Sequence, residues 1–150
     1  MRGWLVTALL GASACGGPDM SGDWTMRVVG DEDEFTLDFT LTWLQSGGGT
    51  TVYEGTGDLE GDALDLNLSV CDMSSCNATL GEYERGDIAG VVRVSEGTWS
   101  GVRFAGVEQD KDVFGGDCEI DPSGEDHVLG TFALARQEAA AEDPNLLAPY

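Results

Sequence analysis

The side chains of this chain best suited to covalent or metal chemistry are four cysteines and one histidine. Cys71 and Cys76 stand five residues apart and flank Asp72-Met73-Ser74-Ser75, a spacing that lets two thiols face each other across a short turn. We expect a disulfide between them. A bridge from either one to Cys118, which would pin the longest loop, stays open. Cysteines separated by five and forty-two residues, with His127 as the lone histidine, do not form a zinc set. His127 has no nucleophile and no carboxylate placed beside it by any local motif, so it reads as a surface or strand-start residue. Asp110-Lys111-Asp112, with Gly115, Asp117, Glu119 and Asp121 behind it, spaces its carboxylates much as a calcium loop does. Phe114, however, stands where a fifth-position oxygen is needed, and Asp121 replaces the closing Glu. Asp31-Glu32-Asp33-Glu34 reads as a solvated charge run at a hairpin tip. Gly47-Gly48-Gly49 lacks the lysine and the helix of a phosphate-binding loop. These residues lead us to expect no catalytic site, no metal site and no cofactor.

Composition narrows the partners. The 150 residues carry a formal charge of −21, from 28 acidic and 7 basic residues. Such a surface repels nucleic acid and anionic headgroups and favours solubility. The 41% of hydrophobic residues falls in well-patterned runs and argues against disorder. Gly is abundant at 22 residues and Pro scarce at 4, which suits many tight turns between short strands.

The first fifteen residues, MRGWLVTALLGASAC, order themselves as one positive charge, an apolar run from Trp4 to Leu10, and a row of small residues. That is the layout of an export signal, with an apolar core too short to span a bilayer as a finished helix. Ala12-Ser13-Ala14-Cys15 resembles the lipobox of bacterial lipoproteins, although Ala12 stands where Leu is usual. The resemblance implies cleavage before Cys15 and lipidation of its sulfur, so that the mature chain starts at a lipidated cysteine. An ordinary cleaved signal that runs into a cysteine is the other reading. Under the lipoprotein reading the membrane is a partner through the lipid on Cys15. Gly16 is not the Asp that resembles an inner-membrane retention signal, which favours an outer-membrane address facing the periplasm or the cell surface. The sequons Asn67-Leu68-Ser69 and Asn77-Ala78-Thr79 carry little weight in a bacterial setting.

Residues 1–14 then form the signal peptide, 15–21 the lipidated cysteine and its tether, 22–136 the folded domain, and 137–150 a flexible tail without a packing pattern, either frayed or briefly helical. Strict alternation is clearest from Phe35 to Leu44, where Phe35, Leu37, Phe39, Leu41 and Trp43 share one face. Ala63 to Val70 repeats it. Further strands are expected at Gly22–Val28, Thr50–Gly57, Ala78–Glu84, Ile88–Ser95, Thr98–Val107 and His127–Arg136, with residues 108–126 left as a long acidic loop. Eight short strands joined by tight turns predict an all-β, antiparallel meander. Closure into a barrel removes the exposed edges of an open sheet; a β-sandwich has strands of the same appearance.

Gly22-Asp23-Trp24 at the start of the first strand resembles the G-x-W motif of lipocalins and the wider calycin group. Arg136, at the end of the last strand, sits where those families place a cation over that tryptophan. The resemblance implies a closed barrel whose end is shut by a Trp24–Arg136 pair, and a small apolar ligand held inside it. The helix that lipocalins place before their last strand is not visible here. Trp43, Trp99, Tyr53 and the phenylalanines could line such a cavity or simply fill the core. Three functions follow as expectations: a structural or interaction lipoprotein of the envelope, a carrier of a small apolar ligand, and, least favoured, an enzyme.

Overall fold

The computed structural model describes residues 18–31, 34–59, 61–78, 80–94, 101–120 and 128–148. Cys15 and the rest of the export signal, Glu32, Asp33, Thr79, Trp99, Asp121 and His127 lie outside the described residues.

Among the described residues the alternating segments form ten strands. They are β1 (Gly22–Val29), β2 (Glu34–Gly47), β3 (Thr50–Leu59), β4 (Asp62–Cys71), β5 (Ser75–Ala78), β6 (Gly81–Glu84), β7 (Ile88–Val94), β8 (Gly101–Asp110), β9 (Val113–Ile120) and β10 (Val128–Arg136). Eight of them close into one barrel in the order β1-β10-β9-β8-β7-β4-β3-β2, and every pairing is antiparallel. The sheet is therefore a closed meander and not a sandwich. Sequential hairpins satisfy the backbone locally, and the β1–β10 ladder, from Trp24↔Arg136 to Val29↔Thr131, removes the last two edges.

The barrel has eight strands as expected, but its membership differs from the sequence reading in one exchange. The expected strand Ala78–Glu84 belongs to a separate two-stranded sheet, β5–β6, which sits outside the barrel as an insertion between β4 and β7. The eighth barrel strand is β9, which runs through the middle of the expected long loop. Its inward residues Phe114, Cys118 and Ile120 are buried, while Asp117 and Glu119 alternate outward between them. The glycines Gly115 and Gly116 disguise this alternation in the sequence. Gly116 lies so close to β8 that an added Cβ would come within 2.2 Å of the Ala105 carbonyl oxygen.

Inside the barrel one continuous cluster runs from Met20 and Trp24 to Leu134. Phe104 and Phe132 meet edge to face at 5.1 Å between centroids, and Trp24 meets Phe114 at 6.0 Å. Large and small residues interlock. A Cβ on Gly106 would stand 2.7 Å from Cζ of Phe132, so that ring fills the space the glycine leaves.

Beyond Arg136 the chain forms a short helix, α1 (Gln137–Glu142), and a 3₁₀ turn (Pro144–Leu147). Where a flexible tail without packing was expected, Ala140, Leu146 and Leu147 cover Val113 and Ala135 on the outside of the barrel. The Arg27 guanidinium donates to the Leu147 carbonyl at 3.1 Å. The pattern was hidden because, among the described residues, only three scattered apolar residues, Ala140, Leu146 and Leu147, touch the wall.

Candidate functional site

One end of the barrel is closed by a clasp built on β1 and β10. Trp24 is fully buried, and its indole N–H donates to the Met20 carbonyl at 2.8 Å. The Arg136 guanidinium carbon stands 4.1 Å from the centroid of the same indole, on the opposite strand of the Trp24↔Arg136 register pair. A cation held this close over an indole contributes about 0.5–2 kcal/mol. Arg136 also ties down the segment that enters the barrel, donating through Nη2 to the Asp19 carbonyl at 2.7 Å and through Nη1 to the Ser21 carbonyl. Its Nε lies 3.7 Å from the Asp112 carboxylate. Gly22 is needed at this point because its φ of +118° suits glycine alone and a Cβ would meet Arg136 Nη1 at 2.9 Å. Met20 lies buried beneath, and burial raises the Tyr53 hydroxyl above its ordinary pKa, against a backbone hydrogen bond with Met20 that lowers it. The clasp is a mechanical closure; it brings together no nucleophile and base.

At the same end, the disulfide Cys71–Cys76 closes the turn that leads into the β5–β6 hairpin. The hairpin lies over Ala89 and Ala105 on the outer wall of β7 and β8. Tyr83 is buried under it, its hydroxyl pushed up by burial and partly offset by a hydrogen bond with Ser69. Between hairpin and wall is a groove of about 210 Å³ lined by Asn67, Ser69, Asn77, Tyr83, Val91 and Arg103 among others. Its polar groups can hydrogen-bond, but among the described residues no histidine, thiol or pair of carboxylates converges there.

The remaining candidates are dispersed. Cys118 is free and buried in the barrel interior, which leaves it no route to Cys71 or Cys76. Burial, with a smaller contribution from Asp117, pushes its thiol up to about 12. Asp110 and Asp112 sit at the two ends of the β8–β9 turn, while Asp117 and Glu119 point away along β9. Among the described residues no three acidic, histidine or cysteine side chains gather as a metal site. Cys15 and His127 lie outside the described residues. Two features were not anticipated from the sequence. One is the carbonyl clasp by Asp19, Met20 and Ser21, because backbone acceptors leave no trace in residue type. The other is the exposure of Trp43, which alternation had placed on the buried face. β1 pairs with β2 only as far as Gly22↔Leu41, so β2 runs on past its neighbour and leaves Trp43 55% exposed.

No family model, curated protein or solved structure matches the chain.

Proposed function

We propose that this chain is an exported, lipid-anchored envelope protein of the bacterial outer membrane whose folded part serves as a structural or interaction domain, and not as an enzyme. The observation that carries the reading of the folded part is the interlocked barrel interior, where aromatic rings occupy the spaces left by glycines. A domain that spends its inside on packing keeps its outer wall, its hairpin and its loops for contact with others. Support for the anchor comes from sequence: the apolar run from Trp4 to Leu10, the small residues before Cys15, and Gly16 in place of a retention Asp. More than one acyl chain on Cys15 would make anchoring stable, at about 0.8 kcal/mol per buried CH₂.

A lipocalin-like carrier is the second reading. The Trp24–Arg136 contact at 4.1 Å favours it, since that is the closure the G-x-W resemblance implies. It needs an apolar cavity of a few hundred Å³ within the barrel, and the interior cluster works against that.

Intact mass spectrometry of the protein extracted from membranes tests both. The expected result is a mature chain beginning at Cys15 with the mass of two or three acyl groups, lost in Cys15→Ser, and no co-purified small molecule. A chain without acyl mass would overturn the anchor. A stoichiometric apolar compound released on denaturation would overturn the filled-barrel reading in favour of the carrier.

A further inference from the structure

We infer that the barrel end bearing Trp43, Leu44 and Met73 lies against the lipid headgroups, with the Trp43 indole as an interfacial anchor beside the acyl chains. The inference rests on the lipid-anchored reading above and adds to it an orientation and a second point of membrane contact.

The geometry of the chain selects this end. Pro18 to Ser21 enters the barrel where Trp24 and Arg136 close it, and β2 leaves the barrel at that same end, past Leu41. Trp43 is paired in register with Tyr53, and Tyr53 is in turn hydrogen-bonded to the backbone of Met20. The projecting tip is thus a neighbour of the tether. Three residue steps separate Cys15 from Pro18, a reach of about 10 Å when extended. A headgroup layer is about 5–8 Å thick on each side of a bilayer. The two lengths are comparable, so a domain moored through Cys15 brings this end to headgroup depth.

The tip is suited to that position. Trp43, Leu44 and Met73 are 55%, 44% and 43% exposed. The Trp43 indole N–H donates to Ser46 Oγ at 3.0 Å, Ser46 bonds Thr51 at 3.3 Å, and Thr51 bonds the Asp72 carboxylate. The Asp72 N–H donates to the Gly49 carbonyl at 2.8 Å, and Met73 packs over Gly49. These bonds join the β2–β3 tip to the disulfide-closed turn, so the three apolar side chains stand at the same end of the barrel. From Phe39 to Tyr53 the chain carries no charged residue, in a sequence that is 23% charged. Anionic headgroups repel the acidic remainder of the surface, Asp72 beside Met73 included, so the uncharged β2–β3 hairpin from Phe39 to Tyr53 is the part that can enter their layer. Tryptophan is the side chain most at home there, with an apolar body and a polar edge. Leu129, more exposed still, is the one exposed large apolar side chain at the other end of the barrel among the described residues, and single exposed apolar residues are ordinary.

The test uses the mature lipidated protein purified from membranes and reconstituted into phosphatidylethanolamine–phosphatidylglycerol vesicles, with and without bromine on the shallow acyl carbons. Flotation reads the anchor, and tryptophan quenching by the brominated lipid reads the tip. The expected result is that wild type and Trp43→Phe float alike, that the wild type loses emission to brominated lipid, and that Trp43→Phe loses clearly less. Leu44→Asp, which keeps Trp43, should float and show diminished quenching. Equal quenching in wild type and Trp43→Phe on floating vesicles would overturn the orientation and leave the anchor standing. Failure of the wild type to float would overturn the anchor and the orientation with it.

Discussion

Cys118 sits between Phe104 on β8 and Gly130 on β10, its register partners, with its sulfur turned into an apolar interior. A thiolate there would lose its water and gain no counter-charge, and this is why the thiol is pushed up to about 12 from an ordinary 9.0. Between those two values the unfolded chain releases the proton and the folded chain keeps it. Stability is therefore unaffected by this group below pH 9 and falls as pH rises from 9 toward 12, by up to about 1.4 kcal/mol per pH unit. Tyr53 and Tyr83, both raised by burial, act in the same direction above pH 10. Urea midpoints measured from pH 8 to 11 should decline, and Cys118→Val should flatten the part of the decline that starts near 9. An unchanged slope in the variant would mean that the thiol is not as dry as its surroundings indicate. Arg136 shows the opposite solution: a permanent cation kept at the rim, with an indole face on one side and carbonyl oxygens on the other.

Among the elements, β9 and the β5–β6 hairpin carry the lesson about reading strands. β2 was legible because five large residues alternate with polar ones from Phe35 to Trp43. β9 has glycine at two positions, one of which, Gly116, closely approaches β8, so its alternation shrinks to Phe114, Cys118 and Ile120. The hairpin has the right composition for a barrel strand but is four residues long on each side and sits on the outer wall. The disulfide ties its first strand to the end of β4. Closing so small a loop restricts the unfolded chain by about 2 kcal/mol on the chain-entropy account. Reduction should cost about that much stability and release the hairpin first. In hydrogen exchange read by mass spectrometry, residues 75–84 should lose protection while β8, β9 and β10 keep theirs. Loss of protection throughout the barrel would show instead that the hairpin belongs to the main cooperative unit.

At the scale of the whole molecule the dominant quantity is charge. A formal −21 distributed over a small barrel stores repulsion in the folded state, and two ion pairs, Arg27–Glu34 at 2.9 Å and Arg136–Asp112 at 3.7 Å, are found among the described residues. Raising salt from 10 to 200 mM shortens the Debye length from about 30 Å to below 10 Å. The folded state should gain on the order of 1 kcal/mol from that screening, with sodium and choline chloride equivalent in urea melts. A selective extra gain from one cation would reveal a binding site and contradict simple screening.

Alternation, turn chemistry and charge, all local properties of the chain, determined an all-β antiparallel meander and a strongly acidic chain, and they favoured a barrel over a sandwich and a bridge across the Asp72–Ser75 turn over one to Cys118. They did so because each depends on residues close together in sequence. Which segments belong to the barrel, and that Trp43 overhangs its rim, was decided by where neighbouring strands begin and stop. That depends on pairings between residues distant in sequence, and only the closed sheet fixes them.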